Sequence, residues 1–201
     1  MKKILVIGAA GTIGSAIVKE LEIDTEILTA GFKSGTYQVD LGNNKSIEDL
    51  FHTIGSLDGI ICAAARGVVF KPIEEMHLED YIASAQQKLF GQIHVVLQGI
   101  KNLHDKGSIT LTTGAFNRDF VENGSAASMV NSAIEGFVQA VSLGMPRGIR
   151  INVVSPSLLA ESAEQYQKVC PGFNTVPASK VAKAYRRSIY GIQSGQVFQV
   201  N

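Results

Sequence analysis

The chain has 201 residues, and its 18 lysines and arginines are balanced by 18 aspartates and glutamates. A formal charge of zero without any basic block argues against a nucleic-acid partner and against binding to an anionic membrane surface. The sequence also lacks the run of about 20 apolar residues that a membrane-spanning helix needs. A chain of this length is expected to fold as a single domain over residues 1–201 that binds small molecules or other proteins.

In chain order, short β-branched runs alternate with longer segments of helical periodicity. The predicted strands are residues 3–7, 25–29, 36–39, 57–63, 107–112, 150–154 and 196–200. The predicted helices are residues 12–22, 44–54, 78–104, 125–144 and 178–190. This alternation is typical of βαβ units. We therefore predict an α/β fold, a Rossmann-type doubly wound parallel sheet of about seven strands with helices on both faces and a ligand site at the carboxyl ends of the strands.

The first predicted strand runs into a glycine-rich turn that opens the first helix. Its glycines, Gly8, Gly11 and Gly14, have the spacing Gly-x-x-Gly-x-x-Gly. Such a turn lets the backbone approach a pyrophosphate, and the helix N-terminus offers it unpaired N–H groups and a positive dipole end. The position after a strand and before an amphipathic helix is the context that supports this interpretation. The turn therefore predicts a dinucleotide site that also includes Thr12 and Ile13.

The residues after the second predicted strand bear on the choice between NADP and NAD. At this point an Asp or Glu would accept hydrogen bonds from the adenosine ribose of NAD, and no acidic residue stands between Leu28 and Ser34. Lys33, with Ser34 beside it, instead suits a ribose 2′-phosphate, which favours NADP. The alternative, that Lys33 is an ordinary solvated loop lysine, stays open.

The cysteines and histidines predict no metal site. Cys62 lies in an apolar run and Cys170 lies beside Pro171, which matches neither a zinc-type pairing nor a disulfide framework. The four histidines share no ligand spacing with each other or with the cysteines. Unpaired cysteines are typical of a reducing compartment, so we expect a cytoplasmic protein.

Three downstream segments carry a resemblance to a known family. Residues 107–114, 132–137 and 148–156 resemble the fifth strand, the active-site helix and the sixth-strand region of the short-chain dehydrogenases/reductases. The resemblance extends over nearly the whole chain. It implies a nicotinamide dinucleotide cofactor, NADP or NAD, and oxidoreductase activity.

The resemblance also implies cofactor contacts outside the glycine turn. Asp40 and Leu41 stand where the family places an Asp and an apolar residue against the adenine, although an Asp after a strand is also common in turns. Ala63, Ala64 and Ala65 stand in the strand end that reads Asn-Asn-Ala-Gly in the family. They keep the small volumes needed beside a ribose and lose the amides.

Pro156 begins the segment in which the resemblance implies that the nicotinamide end of the cofactor is held. The stretch 157–176 before the last predicted helix is compact and leaves little room for a large lid. A small substrate, or none, fits best.

The active-site residues of the family are missing from their expected positions. In the register set by Glu135, the tyrosine position falls on Ala127, the lysine on Asn131, the serine on Gly114 and the structural asparagine on Lys88. An alanine cannot give or take the proton that accompanies hydride transfer. No tyrosine stands between residues 81 and 166, so a small shift of register does not restore one.

Lysine and asparagine are exchanged relative to the family pattern, which suggests a repurposed site. We expect Lys88 to supply an ammonium that binds a cofactor ribose hydroxyl or polarises a substrate carbonyl, and Asn131 to take the ribose contact. Thr113 is a nearby hydroxyl and the third candidate catalytic residue. The alternative, a surface Lys88 and a merely satisfied Asn131, stays open.

The expected function is therefore an oxidoreductase that acts on a small carbonyl or alcohol with a non-standard proton donor. The alternative is a catalytically silent NADP-binding redox sensor or partner-binding module. The resemblance further implies a homodimer or homotetramer formed through the helices predicted over 78–104 and 125–144.

Overall fold

The computed structural model describes residues 1–64, 66–166 and 168–201. Its strands are β1 (Lys2–Ile7), β2 (Thr25–Gly31), β3 (Tyr37–Gln38), β4 (Leu57–Cys62), β5 (Leu103–Thr112), β6 (Arg150–Pro156), β7 (Leu158–Leu159), β8 (Thr175–Val176) and β9 (Val197–Val200). Its helices are α1 (Thr12–Leu21), α2 (Asn44–Thr53), α3 (Leu78–Ser84), α4 (Gly91–Gly99), α5 (Ser125–Val141), α6 (Ala163–Tyr166) and α7 (Ala178–Tyr190).

Within the described residues, seven strands form one parallel sheet in the order β3-β2-β1-β4-β5-β6-β9. The strand order reverses between β1 and β4. In doubly wound sheets a dinucleotide lies across the crevice at this reversal, at the carboxyl ends of the strands. The predicted Rossmann-type fold is confirmed.

Two helical layers cover the sheet. In β1, Leu5 and Ile7 belong to one core, and Ile4 and Val6 belong to the other. The first core is completed by buried residues of α2, α4 and α5, and the second by buried residues of α1 and α7. Burial on both faces explains why β1 is apolar at consecutive positions, and each such side chain contributes about 1.5–3 kcal/mol. Among the described helices, none has both the length and the apolar character needed to cross a membrane.

The prediction of one continuous helix over residues 78–104 is wrong. α3 and α4 are joined by Ala85–Phe90, which adopt π-helical geometry. One inserted residue hardly disturbs an apolar pattern that is averaged over several turns, so periodicity alone does not reveal it. π-Helical segments occur frequently at functional sites, and this one contains Lys88.

The same helix also ends earlier than predicted. After α4, Asn102 turns the chain by donating its side-chain N–H groups to the backbone oxygens of Phe51 and Gly55, each at 2.8 Å. Leu103 then pairs with Leu57, so that β5 begins four residues before the predicted start at 107. A leucine at position 103 suits a helix face as well as a buried strand, and the contacts with β4 decide between them.

The segment 157–176 contains short elements that were not predicted. β7 pairs with β8, and α6 lies between them in the chain. The Ser157 hydroxyl donates to the Asn174 backbone oxygen at 3.0 Å and ties the two ends of the segment together. The segment lies beside the carboxyl end of β6, where it forms one wall of a cavity described below.

Candidate functional site

The glycine turn connects β1 to α1 at the strand reversal. Gly8 has a positive φ of 87°, and a Cβ there would lie 2.8 Å from the backbone nitrogen of Ala64. A Cβ on Gly14 would overlap the backbone oxygen of Gly8. Both glycines are therefore required by the close approach of three backbone segments. No side chain caps α1, whose N-cap is Gly11, so the first amide hydrogens of the helix, including those of Thr12 and Ile13, stay available to an anion.

A first cavity, of about 230 Å³, opens beside this turn on the β1-β2 side of the reversal. Its lining residues are Ile7, Gly8, Ala10, Gly11, Gly31, Phe32, Ser34, Val39, Leu41, Ala63, Ala64, Arg66 and Gln87. The predicted cofactor residues Gly8, Gly11, Ser34, Leu41, Ala63 and Ala64 are thus brought together. Lys33 lies outside this lining, and Ala65 lies outside the described residues.

Arg66 is a cavity residue that the sequence reasoning missed. Its guanidinium carbon lies 3.9 Å from the centroid of the Phe32 ring, within the range of a cation–π interaction, whereas the Lys33 ammonium lies 6.0 Å from the same ring. An Arg66 guanidinium nitrogen is 4.0 Å from a carboxylate oxygen of Asp40. The only signal in the sequence is a basic residue directly after the run of small residues at the end of β4.

Asp40 closes the turn after β3 and also faces Arg66. Its carboxylate accepts the backbone N–H of Gly42 at 3.0 Å, and its own N–H donates to the Ser46 hydroxyl at 3.0 Å. The turn chemistry considered as an alternative for Asp40 is therefore present. Its contact with an adenine remains a prediction.

Lys88 and Asn131 form the buried polar pair of the site. Lys88 is only 7% exposed, and its Nζ donates to Asn131 Oδ1 at 2.8 Å. Asn131 Nδ2 in turn donates to the backbone oxygen of Gly114 at 3.1 Å. The alternative that Lys88 is a surface lysine is wrong, because the π-helical segment turns this side chain into the protein.

Burial also shifts the pKa values of Lys88 and of the neighbouring Cys62. Desolvation lowers the pKa of the Lys88 ammonium to about 8, and the nearby Glu135 opposes this shift. Lys88 therefore still carries its charge at pH 7. Desolvation raises the pKa of the neighbouring Cys62 thiol to about 12, so this cysteine stays neutral and is not an ion-pair partner for Lys88.

Gly114 and Ala127, which the register predicted from the sequence aligns with the family's serine and tyrosine, carry no hydroxyl. A Cβ on Gly114 would meet nothing closer than the Asn131 side-chain nitrogen at 3.8 Å and the Pro156 oxygen at 3.9 Å. Lack of space at the β-carbon position therefore does not explain the missing serine. Ala127 is buried in the first turns of α5.

Thr113 belongs to a polar network around Glu135. The Thr113 hydroxyl donates to one carboxylate oxygen at 2.9 Å, and the Asn117 amide donates to the other at 2.8 Å. Arg118 donates to Glu135 at 3.1 Å and to the Ser155 hydroxyl at 2.9 Å. Asn117 and Arg118 thus complete this network. The Thr113 hydroxyl hydrogen is already committed to a carboxylate.

A second cavity, the Tyr166 cavity, lies on the other side of the strand reversal at the carboxyl ends of β5 and β6. It has a volume of about 270 Å³ and is lined by residues 113–116, 156–159, 162 and 166, which include the predicted Pro156. The described lining residues carry no charge. Phe116 makes edge-to-face contacts with Phe70 and Phe173, with ring centroids 6.1 and 6.3 Å apart.

The described part of the chain contains no group of three His, Cys, Asp or Glu side chains that would hold a metal ion.

Comparison with known proteins agrees with this geometry. Residues 8–188 match a family model described as enoyl-(acyl carrier protein) reductase. The hydroxynaphthalene reductase-like protein Arp2 of Metarhizium brunneum (strain ARSEF 3297) is 28% identical in an alignment of length 181, and the match covers 77% of this chain and 67% of that protein.

Two solved structures extend the similarity over the whole chain. The protein lin1944 from Listeria innocua is 43% identical, with a TM-score of 0.98 over all of both chains. A small-chain dehydrogenase solved in complex with NADPH is 26% identical, with a TM-score of 0.87 over all of this chain and 96% of that one. The chain therefore belongs to the short-chain dehydrogenases/reductases.

Proposed function

We propose that the chain is an NADP(H)-dependent oxidoreductase that interconverts a small carbonyl compound and its alcohol. The observation that carries the proposal is a chain of contacts that links the linings of two cavities through a buried cation. Gln87 lines the first cavity, its neighbour Lys88 binds Asn131, and Asn131 binds the Gly114 oxygen beside the Tyr166 cavity. A dinucleotide that crosses the strand reversal reaches both cavities and passes this pair.

The residues around the glycine turn fit such a cofactor. The approach of Gly8 and Gly14 to neighbouring backbone and the uncapped start of α1 provide a cradle for the diphosphate. Ser34 and Arg66, which line the first cavity, would serve a ribose 2′-phosphate, which favours NADP over NAD. The sequence-based assignment of Lys33 to the same phosphate stays a prediction. The predicted contacts of Asp40, Leu41, Ala63 and Ala64 belong to the adenosine half, and that of Pro156 belongs to the nicotinamide half.

When bound, the reduced nicotinamide supplies a hydride. The chain's own contribution is a fixed positive charge, because carbonyl reduction places negative charge on the substrate oxygen and a preorganised cation stabilises it. We assign this charge to Lys88, acting on the carbonyl or through a cofactor ribose hydroxyl. Asn131 holds the ammonium in place, and Thr113, which lines the Tyr166 cavity, donates its hydroxyl hydrogen to Glu135.

Two measurements test the proposal. Isothermal titration with NADPH and NADH is expected to show binding of both cofactors or of NADPH alone, with NADPH preferred. A stopped-flow search with small aldehydes, ketones and quinones is expected to show NADPH oxidation with at least one of them. Absence of binding at millimolar NADPH would contradict the proposal.

A second candidate function follows from Gly114 and Ala127, which remove the hydroxyls of the family mechanism. A silent NADP-binding redox sensor or partner-binding module would bind NADPH with the same residues. It would oxidise NADPH with none of the carbonyl compounds, and that outcome separates the two candidates.

The homodimer or homotetramer is also proposed. The outer faces of α3 and α4 expose Leu78, Ile82 and Leu97, which a helix-to-helix interface would cover. Sedimentation velocity at micromolar concentration is expected to show a dimer or tetramer, and a monomer would contradict this assignment.

A further inference from the structure

The proposed reaction requires a proton at the substrate oxygen, and the Tyr166 cavity contains four side-chain hydroxyls that could supply it. Thr113 donates its hydrogen to Glu135, and Ser157 donates its hydrogen to the Asn174 oxygen. Within residues 1–64, 66–166 and 168–201, the Ser162 and Tyr166 hydroxyls make no hydrogen bond. These two are therefore the donors that remain for a ligand.

We propose that Tyr166 is the proton donor of this chain and that the Tyr166 cavity takes a small, uncharged carbonyl compound. The inference rests on the proposed NADP(H)-dependent function and names its substrate class and its missing acid. We prefer Tyr166 to Ser162 as the proton donor because a phenol is a far stronger acid than an aliphatic alcohol.

Tyr166 belongs to a different element from Ala127. Tyr166 is the last residue of α6 and lines the same cavity as Gly114. The family tyrosine position, Ala127, belongs to α5 instead. The proposed donor therefore lies in the segment after β6, whereas the family tyrosine position lies in the helix after β5. Tyr166 is also 39% exposed, so bulk water can return its proton after each turnover.

The lining of the cavity defines the substrate class. Its residues carry no charge, and the nearby Arg118 and Glu135 are already paired at 3.1 Å. A charged substituent brought into this cavity would lose its hydration without gaining a charged partner among the residues that line it. Leu158, Leu159 and Phe116 provide apolar contacts. A volume of about 270 Å³, which the reacting end of the cofactor must share, restricts the substrate to a short aliphatic or a single aromatic carbonyl compound.

The step balances as a carbonyl reduction. The carbonyl carbon receives a hydride from the reduced nicotinamide, and the electron pair of the broken C=O π bond takes the proton of the Tyr166 hydroxyl. The products are an alcohol, the oxidised nicotinamide and a phenolate that water re-protonates. The reverse sequence oxidises the alcohol.

The test compares Tyr166→Phe with Tyr190→Phe. Tyr190 is a matched control because it is 38% exposed and its hydroxyl contacts Thr25 and Asp24 at the end of α7, away from the site. Benzaldehyde is the neutral substrate probe, and 4-carboxybenzaldehyde is its charged counterpart. For the wild type we expect a kcat/KM at least tenfold higher with benzaldehyde.

For Tyr166→Phe we expect kcat with benzaldehyde to fall about 100-fold or more, as for loss of a general acid, with the NADPH Kd unchanged. For Tyr190→Phe we expect kcat within twofold of the wild type. A further readout does not depend on turnover. In the complex with NADP⁺, isotope-edited infrared spectra are expected to show the carbonyl band of bound benzaldehyde at lower wavenumber in the wild type than in Tyr166→Phe.

Equal kcat values for the wild type and Tyr166→Phe, or equal carbonyl bands, would overturn the assignment of Tyr166. A preference for the charged aldehyde, or no turnover of either aldehyde by a protein that binds NADPH, would overturn the substrate class and leave cofactor binding standing. Failure to bind NADPH would instead remove the proposed function and this inference with it.

Discussion

Lys88 Nζ lies 2.8 Å from Asn131 Oδ1 and joins the π-helical segment before α4 to the middle of α5. The pair is buried, and the Asn131 amide passes the connection on to the backbone oxygen of Gly114. In the register predicted from the sequence, Lys88 stands at the family's asparagine position and Asn131 at its lysine position. The structure brings these two side chains into contact, so a buried cation and an amide meet between the π-helical segment and α5.

Replacing Lys88 by methionine tests whether this charge serves the cofactor. A charge-assisted hydrogen bond contributes about 1.5–3 kcal/mol, so we expect the NADPH Kd to rise about tenfold or more in Lys88→Met. Methionine fills a similar volume without a charge, and it leaves the buried Asn131 Oδ1 without its donor, so we also expect a loss of stability of about 1–3 kcal/mol. Isothermal titration gives the Kd and thermal unfolding gives the stability. An unchanged Kd would remove Lys88 from the site.

The pH dependence of stability tests the burial of the Lys88 charge. The folded-state pKa of about 8 lies below the ordinary value of 10.5, so between these pH values the unfolded chain binds more protons than the folded one. The Lys88 contribution to stability therefore rises with pH through this window, by roughly 3 kcal/mol in total. The wild-type free energy of unfolding minus that of Lys88→Met isolates it from other titrating groups.

Urea unfolding at pH 7.5 and pH 10 measures this difference. We expect the wild type to gain stability relative to Lys88→Met at the higher pH. A difference that stays constant between the two pH values would mean that Lys88 is solvated.

The choice between Arg66 and Lys33 decides how the 2′-phosphate is recognised. Arg66 lines the first cavity and stacks on Phe32, whereas Lys33 is exposed outside the lining. We expect Arg66→Gln to raise the NADPH Kd about tenfold and to leave NADH binding within twofold. Lys33→Gln is the matched control, with a small effect on both cofactors. A larger loss in Lys33→Gln would restore the sequence-based assignment.

Substitution of Gly14 tests the architecture of the turn. A Cβ at this position would overlap the Gly8 oxygen, so we expect Gly14→Ala to destabilise the fold by about 1–3 kcal/mol and to abolish NADPH binding. Gly136 is the control, because nothing lies within 4 Å of a Cβ there. Gly136→Ala in α5 is expected to stabilise by about 0.5–1 kcal/mol. Thermal unfolding measures both, and a neutral Gly14→Ala would contradict the turn geometry.

The sequence predicted the parts of the molecule that depend on local pattern. The strands and helices alternate with clear hydrophobic periodicity, which predicts them. The spacing of Gly8, Gly11 and Gly14 by itself predicts the turn. The π-helical segment around Lys88 and the early end of α4 depend on tertiary contacts. Hydrophobic periodicity along the sequence therefore does not predict them. The residues of the first cavity divide in the same way. Ser34 was predicted from its place after a strand and Leu41 from the family resemblance, whereas Arg66 was not predicted.

Two further residues depend on contacts between distant segments. Arg66 matters because its loop meets the loop that carries Phe32, and Tyr166 matters because α6 lies beside the end of β6. Neither stands in a motif with a recognisable spacing. Cavity-lining residues contributed by irregular segments are the part of a site that a single sequence conveys least.

Calorimetric titration of NADPH into the wild-type protein is the decisive test of the proposed cofactor site. We predict saturable binding with one NADPH per chain, tighter than that of NADH and weakened about tenfold or more in Lys88→Met. Absence of any binding heat at millimolar NADPH, confirmed by an unchanged melting temperature in its presence, would rule out the proposed site.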